Sequence, residues 1–166
     1  KTEQADLLQA LAVIAACGTS LVACQPNADG MGTAGAGGSS WVQVSAGASH
    51  TCAILLDGTA WCWGQNDAGQ LGNGDTTGVS KNTPQTVSGL ADATSIDAGS
   101  SHTCATIKGG TVKCWGRNQE GEVGDNTTTN RYVPTATLDM PNAVAVSAGG
   151  NHTCALDAFG LAKCWG

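Results

Sequence analysis

One segment of this chain is written three times, and that repetition constrains its fold more than any other feature. VQVSAGASHTCAILLDGTAWCWG from Val42, TSIDAGSSHTCATIKGGTVKCWG from Thr94 and VAVSAGGNHTCALDAFGLAKCWG from Val144 align without gaps. The cysteines recur 52 and then 50 residues apart. After the first two copies comes a second shared block, QNDAGQLGNGDTT from Gln65 and RNQEGEVGDNTTT from Arg117, each followed by a proline, Pro84 and Pro134. A period of this length lies near that of propeller blades and exceeds most helical repeats. Repeats of this kind bury a core only by stacking on their neighbours.

Within each copy the signals are those of strands. Val42-Gln43-Val44 alternates with period two before Ala46-Gly47 interrupts it. Thr51 to Leu55 and Thr59 to Trp63 flank a turn at Leu56-Asp57-Gly58. A three-residue hairpin loop takes a type I turn followed by glycine in the left-handed region. Gly58, Gly110 and Gly160 all stand at that third position. Leu55 then faces Thr59, and counting outward sets Cys52 opposite Cys62, Cys104 opposite Cys114 and Cys154 opposite Cys164. Directly opposed residues have Cα atoms about 4.5–5.5 Å apart, within disulfide reach. Closing such a loop stabilises a hairpin by roughly 2–3 kcal/mol in the chain-entropy view. Three such bridges imply an oxidising compartment.

The N-terminal part has a different character. Leu7 to Ala16 is an apolar run of the length of a signal-peptide core. Ile14-Ala15-Ala16-Cys17 and Leu21-Val22-Ala23-Cys24 both resemble the bacterial lipobox, which makes Cys17 and Cys24 lipidation candidates. Residues 1–24 are therefore expected to be a secretory or lipoprotein signal. The alternative is a retained helix with Cys17 and Cys24 as small buried residues on one face. Residues 25–40, rich in Gly, Ala and Ser, read as a flexible tether.

The pattern His-Thr-Cys-Ala, then Cys-Trp-Gly, then Asn-x-x-Gly-Gln-Leu-Gly resembles the regulator of chromosome condensation repeat, in the bacterial secreted form that adds the cysteine pair. The resemblance covers residues 41–166, as repeats of about 41–90, 91–142 and a partial 143–166. It implies an all-β fold of four-stranded antiparallel propeller blades, usually seven to a ring. Two and a half blades cannot close such a ring, so the sequence is expected to be a piece of a longer chain.

Several residues recur in ways that suggest a site. His50, His102 and His152 are the only histidines, and each shares a hairpin face with its cysteine pair. That set offers three zinc ligands per repeat, but no fourth recurs, and a disulfide beside a structural histidine accounts for it better. Trp63, Trp115 and Trp165 recur as packing residues, with ligand stacking as the alternative. Trp61 is replaced by Lys113 and Lys163 in the other copies, which makes it a candidate contact residue. The block from Asn66 to Thr77 carries Ca²⁺-type ligands, but its second copy changes Asp67 to Gln119 and Asp75 to Thr127, and turn formation explains the composition. No metal or cofactor is expected.

Catalysis finds little support. There is no Gly-x-Ser-x-Gly elbow, Glu120 and Glu122 form no repeated acid pair, and no repeat cysteine is left over as a nucleophile. A net charge of −6 with seven scattered basic residues disfavours nucleic acid. The expected function is a secreted or surface-anchored interaction scaffold, not an enzyme, with a protein or glycan ligand. Membrane contact would come only through a lipid anchor or signal helix. Nucleotide exchange on a small Ras-like GTPase, implied by the family's founding member, is one alternative, although none of its exchange residues map here. A structural adhesion repeat is the other.

Overall fold

The computed structural model of the chain describes residues 40–138 and 140–166. The expected signal (1–24), the lipidation candidates Cys17 and Cys24, and all of the tether but Ser40 lie outside the described residues. Eleven strands follow: β1 (Trp41–Ala46), β2 (His50–Leu55), β3 (Ala60–Gly64), β4 (Lys81–Thr86), β5 (Ala93–Ala98), β6 (His102–Ile107), β7 (Thr111–Gly116), β8 (Arg131–Ala136), β9 (Ala143–Ala148), β10 (Thr153–Asp157) and β11 (Ala162–Trp165). They form two four-stranded sheets, β1-β2-β3-β4 and β5-β6-β7-β8, and a three-stranded sheet of β9, β10 and β11, all antiparallel. These are consecutive propeller blades, the third represented by three strands.

The turns set the register. The Gly58 N–H donates to Leu55 O, and the Leu55 N–H donates to Thr59 O. Gly58 has φ +81°, Gly110 +80° and Gly160 +87°, the left-handed conformation the turn needs. Leu55 and Thr59 are thus a hydrogen-bonded pair, and alternation makes Cys52 and Cys62 a non-hydrogen-bonded one, where Cα atoms approach most closely. The three cysteine pairs are disulfide-bonded with Cα separations of 4.1, 4.1 and 4.0 Å. That is tighter than the general strand-pair range. The second strand of each of the first two blades begins at the histidine, one residue earlier than the turn signals alone suggest. Pro84 and Pro134 sit in β4 and β8, the outer edge strands, where a missing N–H breaks no ladder.

The core lies between blades. One face of the first blade (Cys52, Ile54, Ala60, Cys62) packs with Leu71, Val87 and Leu90 against Ala93, Ile96, Ala105 and Trp115 of the second. The second and third blades repeat this with Cys104, Val112, Cys114 and Val123 against Ala143, Val146, Ala155 and Trp165. Full burial of one such aliphatic side chain, Ile54 or Leu71, stabilises by about 1.5–3 kcal/mol. Among the described residues no helix is long and apolar enough to cross a membrane.

Candidate functional site: the seams between blades

Neighbouring residues on a strand point to opposite faces. The recurrent dipeptide His-Thr therefore serves two seams at once. His50 reaches forward to Thr103 of the next blade, Nε2 to Oγ1 2.8 Å, and His102 reaches forward to Thr153, 2.9 Å. Thr103 donates its single hydroxyl proton to Gln70 O at 2.9 Å, and Thr153 donates to Glu122 O at 2.8 Å. With that proton committed, the hydroxyl accepts from the histidine. Both rings are thus Nε2–H tautomers, each donating to a threonine of the following blade. Their Nδ1 atoms are buried and have no partner. Burial holds His50 down to about 4, with His102 adding to the effect. Burial also lowers His102, partly opposed by Glu122 and Asp97.

The same carbonyls take a second donor. Trp115 Nε1 donates to Gln70 O and Trp165 Nε1 to Glu122 O, both at 2.9 Å. The Asn-x-x-Gly-Gln-Leu-Gly block thus delivers one carbonyl per blade to the next blade's Thr and Trp. Asn66 and Asn118 shape that loop by accepting the N–H of Leu71 and Val123. Gly72 has φ +64°, and a Cβ there would lie 2.6 Å from Trp115 Nε1. Gly124 stands in the same relation to Trp165. A Cβ on Gly99 would come 2.8 Å from the His102 ring. The Ala-Gly-x-x-His spacing therefore leaves the ring its space.

The inner strands are tied as well. The Gln43 side-chain amide donates to Ile96 O at 3.0 Å and accepts its N–H at 3.1 Å, standing in for a strand at the edge of β5. Ser45 donates to Asp97 at 2.7 Å and accepts the Ala98 N–H, while Asp97 accepts the Ala148 N–H at 2.8 Å. Arg117 pairs at 2.6 Å with Glu122, whose side chain is fully buried, and reaches Asn151 of the third blade at 2.9 Å. Sequence reasoning did not single out Gln43, Thr103, Thr153, Gln70 or Asp97. The identity of Thr51, Thr103 and Thr153 across copies was the one available signal.

His50, Cys52 and Cys62 share a face, but the sulfurs are bonded to each other, and among the described residues no group of His, Cys, Asp and Glu is placed to hold a metal ion. His152 is exposed, whereas His50 and His102 are buried. Trp115 is fully buried in a seam, and Trp63 and Trp165 are half-buried. Trp61 lies half-buried within β3 opposite Ala53 and Thr86. The block from Asn66 to Thr77 is a loop closed on itself. The Asp75 carboxyl takes the Thr77 hydroxyl and N–H and the Lys81 ammonium, which hold it down to about 2. The buried His–Thr pairs resemble a base and a nucleophile, but the threonine proton is committed to a carbonyl and no carboxylate orients Nδ1. A shallow cleft beside β11, lined by Gly121, Gly124, Leu138, Lys163 and Trp165, brings no pair of acid–base groups together.

Comparison with known proteins agrees with this architecture. The family model described as regulator of chromosome condensation (RCC1) repeat matches residues 57–106 and 109–156, and a second of the same description matches 41–70 and 93–122. The zebrafish (Danio rerio) protein RCC2 homolog is 39% identical over 79 residues, 46% of this chain and 16% of that protein. Human probable E3 ubiquitin-protein ligase HERC6 is 38% identical over 85 residues, 49% of this chain and 8% of that protein. The chain thus spans less than a fifth of the length of these relatives. Among solved structures, Saccharomyces cerevisiae Prp20p, reported with its binding properties to Gsp1p and histones, superposes with a TM-score of 0.67 at 28% identity. That match covers 76% of this chain and 33% of Prp20p. Human WBSCR16 superposes at 0.70 with 20% identity, covering 77% and 33%. With the propeller-blade fold, the repeated His-Thr seams and these matches together, the chain belongs to the regulator of chromosome condensation (RCC1) repeat family.

Proposed function

We propose that the chain is an interaction scaffold whose partner is a protein. One observation carries this reading. The identical His and Cys positions of the first two blades and the identical Thr of the second and third serve the seams, while the first two positions of the β2–β3-type turns differ between copies and face solvent. Leu56, Lys108 and Ala158 correspond to one another, as do Asp57, Gly109 and Phe159. Leu56 is 70% exposed and Phe159 84% exposed. A rigid frame with variable exposed tips suits recognition, since loops on a fixed scaffold can change without cost to the core. Cross-linking of the bound partner tests it. Contacts should map to these turns, and Leu56→Ala with Phe159→Ala should weaken binding without moving the unfolding midpoint. Contacts confined to the sheet edges would refute it.

Export to an oxidising compartment is part of the same proposal. Three cysteine pairs and the Cys17 and Cys24 tetrapeptides support it. Metabolic labelling with a fatty-acid analogue should mark Cys17 or Cys24 and vanish on substitution to Ser. A glycan in place of a protein partner would show as binding on a glycan array that the same turn substitutions abolish. A second reading, nucleotide exchange, rests on the family resemblance, beside the similarity to Prp20p, which is reported with its binding properties to Gsp1p and histones. A nucleotide-release assay with a small Ras-like GTPase decides it, and no acceleration is expected.

A further inference from the structure

Each inter-blade core is centred on a disulfide. Cys52–Cys62 is wholly buried among Leu71, Ile96, Ala105 and Trp115. Cys104–Cys114 is wholly buried among Val123, Val146 and Ala155. A staple that served only its own hairpin could stand on either face of the sheet. Both of these stand on the face that docks the next blade. Each also touches the hydroxyl that ties the seam, Cys52 Sγ at 3.8 Å from Thr103 Oγ1 and Cys104 Sγ at 3.6 Å from Thr153 Oγ1.

Thiol–disulfide exchange needs a thiolate to reach one of the two sulfurs. While the blades are docked these four sulfurs have no exposed surface. Reduction by a dithiol adds two electrons and two protons and breaks the S–S bond. It leaves two thiols, and the reductant departs as its own cyclic disulfide. The two sulfurs must then separate from about 2 Å to van der Waals contact at roughly 3.5–4 Å. A close-packed seam has no room for that expansion, so the facing blade must give way. For the first seam the facing groups are Ala105 and Trp115. We propose that Cys52–Cys62 and Cys104–Cys114 are a redox latch on blade docking: the docked seam shields them from thiol reductants, and their reduction loosens the seam.

The test uses the whole chain treated with dithiothreitol, with alkylation and mass spectrometry to follow each cysteine pair. NMR follows exchange of the Trp115 and Trp165 indole protons. Both pairs should be reduced at least roughly thirtyfold more slowly in the folded protein than in concentrated urea, because reduction waits for local opening. After reduction the Trp115 and Trp165 indole protons should exchange at least roughly tenfold faster while the β-sheet circular dichroism persists. A smaller slowing would show that the seam does not shield them. Unchanged indole exchange after reduction would show that the seam does not respond. Loss of the sheet signal together with indole protection would make the bridges staples of the whole fold. Any of these three results overturns the latch.

Discussion

Acidification should unfasten the first seam through His50, and the size of the effect follows from the ring's surroundings. His50 is 3% exposed, neutral, and donates from Nε2 to Thr103. Protonating Nδ1 would place a charge and an unpaired N–H in a buried space with no acceptor. The folded-state value is lowered from 6.5 to about 4, chiefly by burial and secondarily by His102. As pH falls the unfolded chain therefore binds the proton first. The stabilising effect is complete above about pH 6.5, is lost progressively down to about pH 4, and does not change further below that. At about 1.4 kcal/mol per tenfold in proton affinity, the drop from 6.5 to about 4 is worth about 3 kcal/mol. His102, lowered in the same direction chiefly by burial, adds to the loss of stability as pH falls below 6.5. The half-buried carboxyl of Asp75 is held down to about 2, so its titration lies below this window. The assay is urea unfolding at a series of pH values, for the wild-type chain and for His50→Gln, which keeps a donor for Thr103 but cannot titrate. The wild-type midpoint should fall between pH 6.5 and pH 4 by more than that of the variant. Parallel profiles would refute the assignment of His50 as the buried neutral donor.

Further outcomes follow from the other contacts. Arg117→Gln strands the buried Glu122 carboxylate and should cost about 3 kcal/mol in urea unfolding. Adding Glu122→Gln recreates the Gln65 and Gln70 of the first blade and should restore most of that loss. Gly72→Ala sets a Cβ 2.6 Å from Trp115 Nε1 on a backbone with φ +64° and should cost at least about 2 kcal/mol. Gly89→Ala, at φ +65° with nothing within 4 Å, should cost about 1 kcal/mol, the conformational strain alone. Thr103→Val leaves the His50 N–H without its acceptor and Gln70 O without one of its two donors. It should cost about 2 kcal/mol and speed exchange of the Trp115 indole proton.

How much of this was legible before the structure depends on the range of each interaction. Everything inside one hairpin could be read from the residues. The glycine at the third turn position demands a left-handed φ, that turn sets the strand register, and the register sets Cys52 opposite Cys62. Alternation within a strand likewise put His50 on the face of the cysteine pair. These are local geometry, fixed within about ten residues of chain and indifferent to what packs outside. The repeat period and the family resemblance carried the next level, blades of four antiparallel strands. Trp61 shows where the reading ran out. Its variation between copies suggested an exposed contact residue, and the strand that holds it half-buries it. The site itself was the least legible part. The partners of His50 and Trp115 lie 53 and 45 residues away, on a hydroxyl and a carbonyl respectively that no spacing rule selects. Which sheet face meets which neighbour depends on how the twisted sheets stack. Only the stacked blades show that a His-Thr dipeptide divides its two side chains between two seams, with both disulfides buried in the seams beside it.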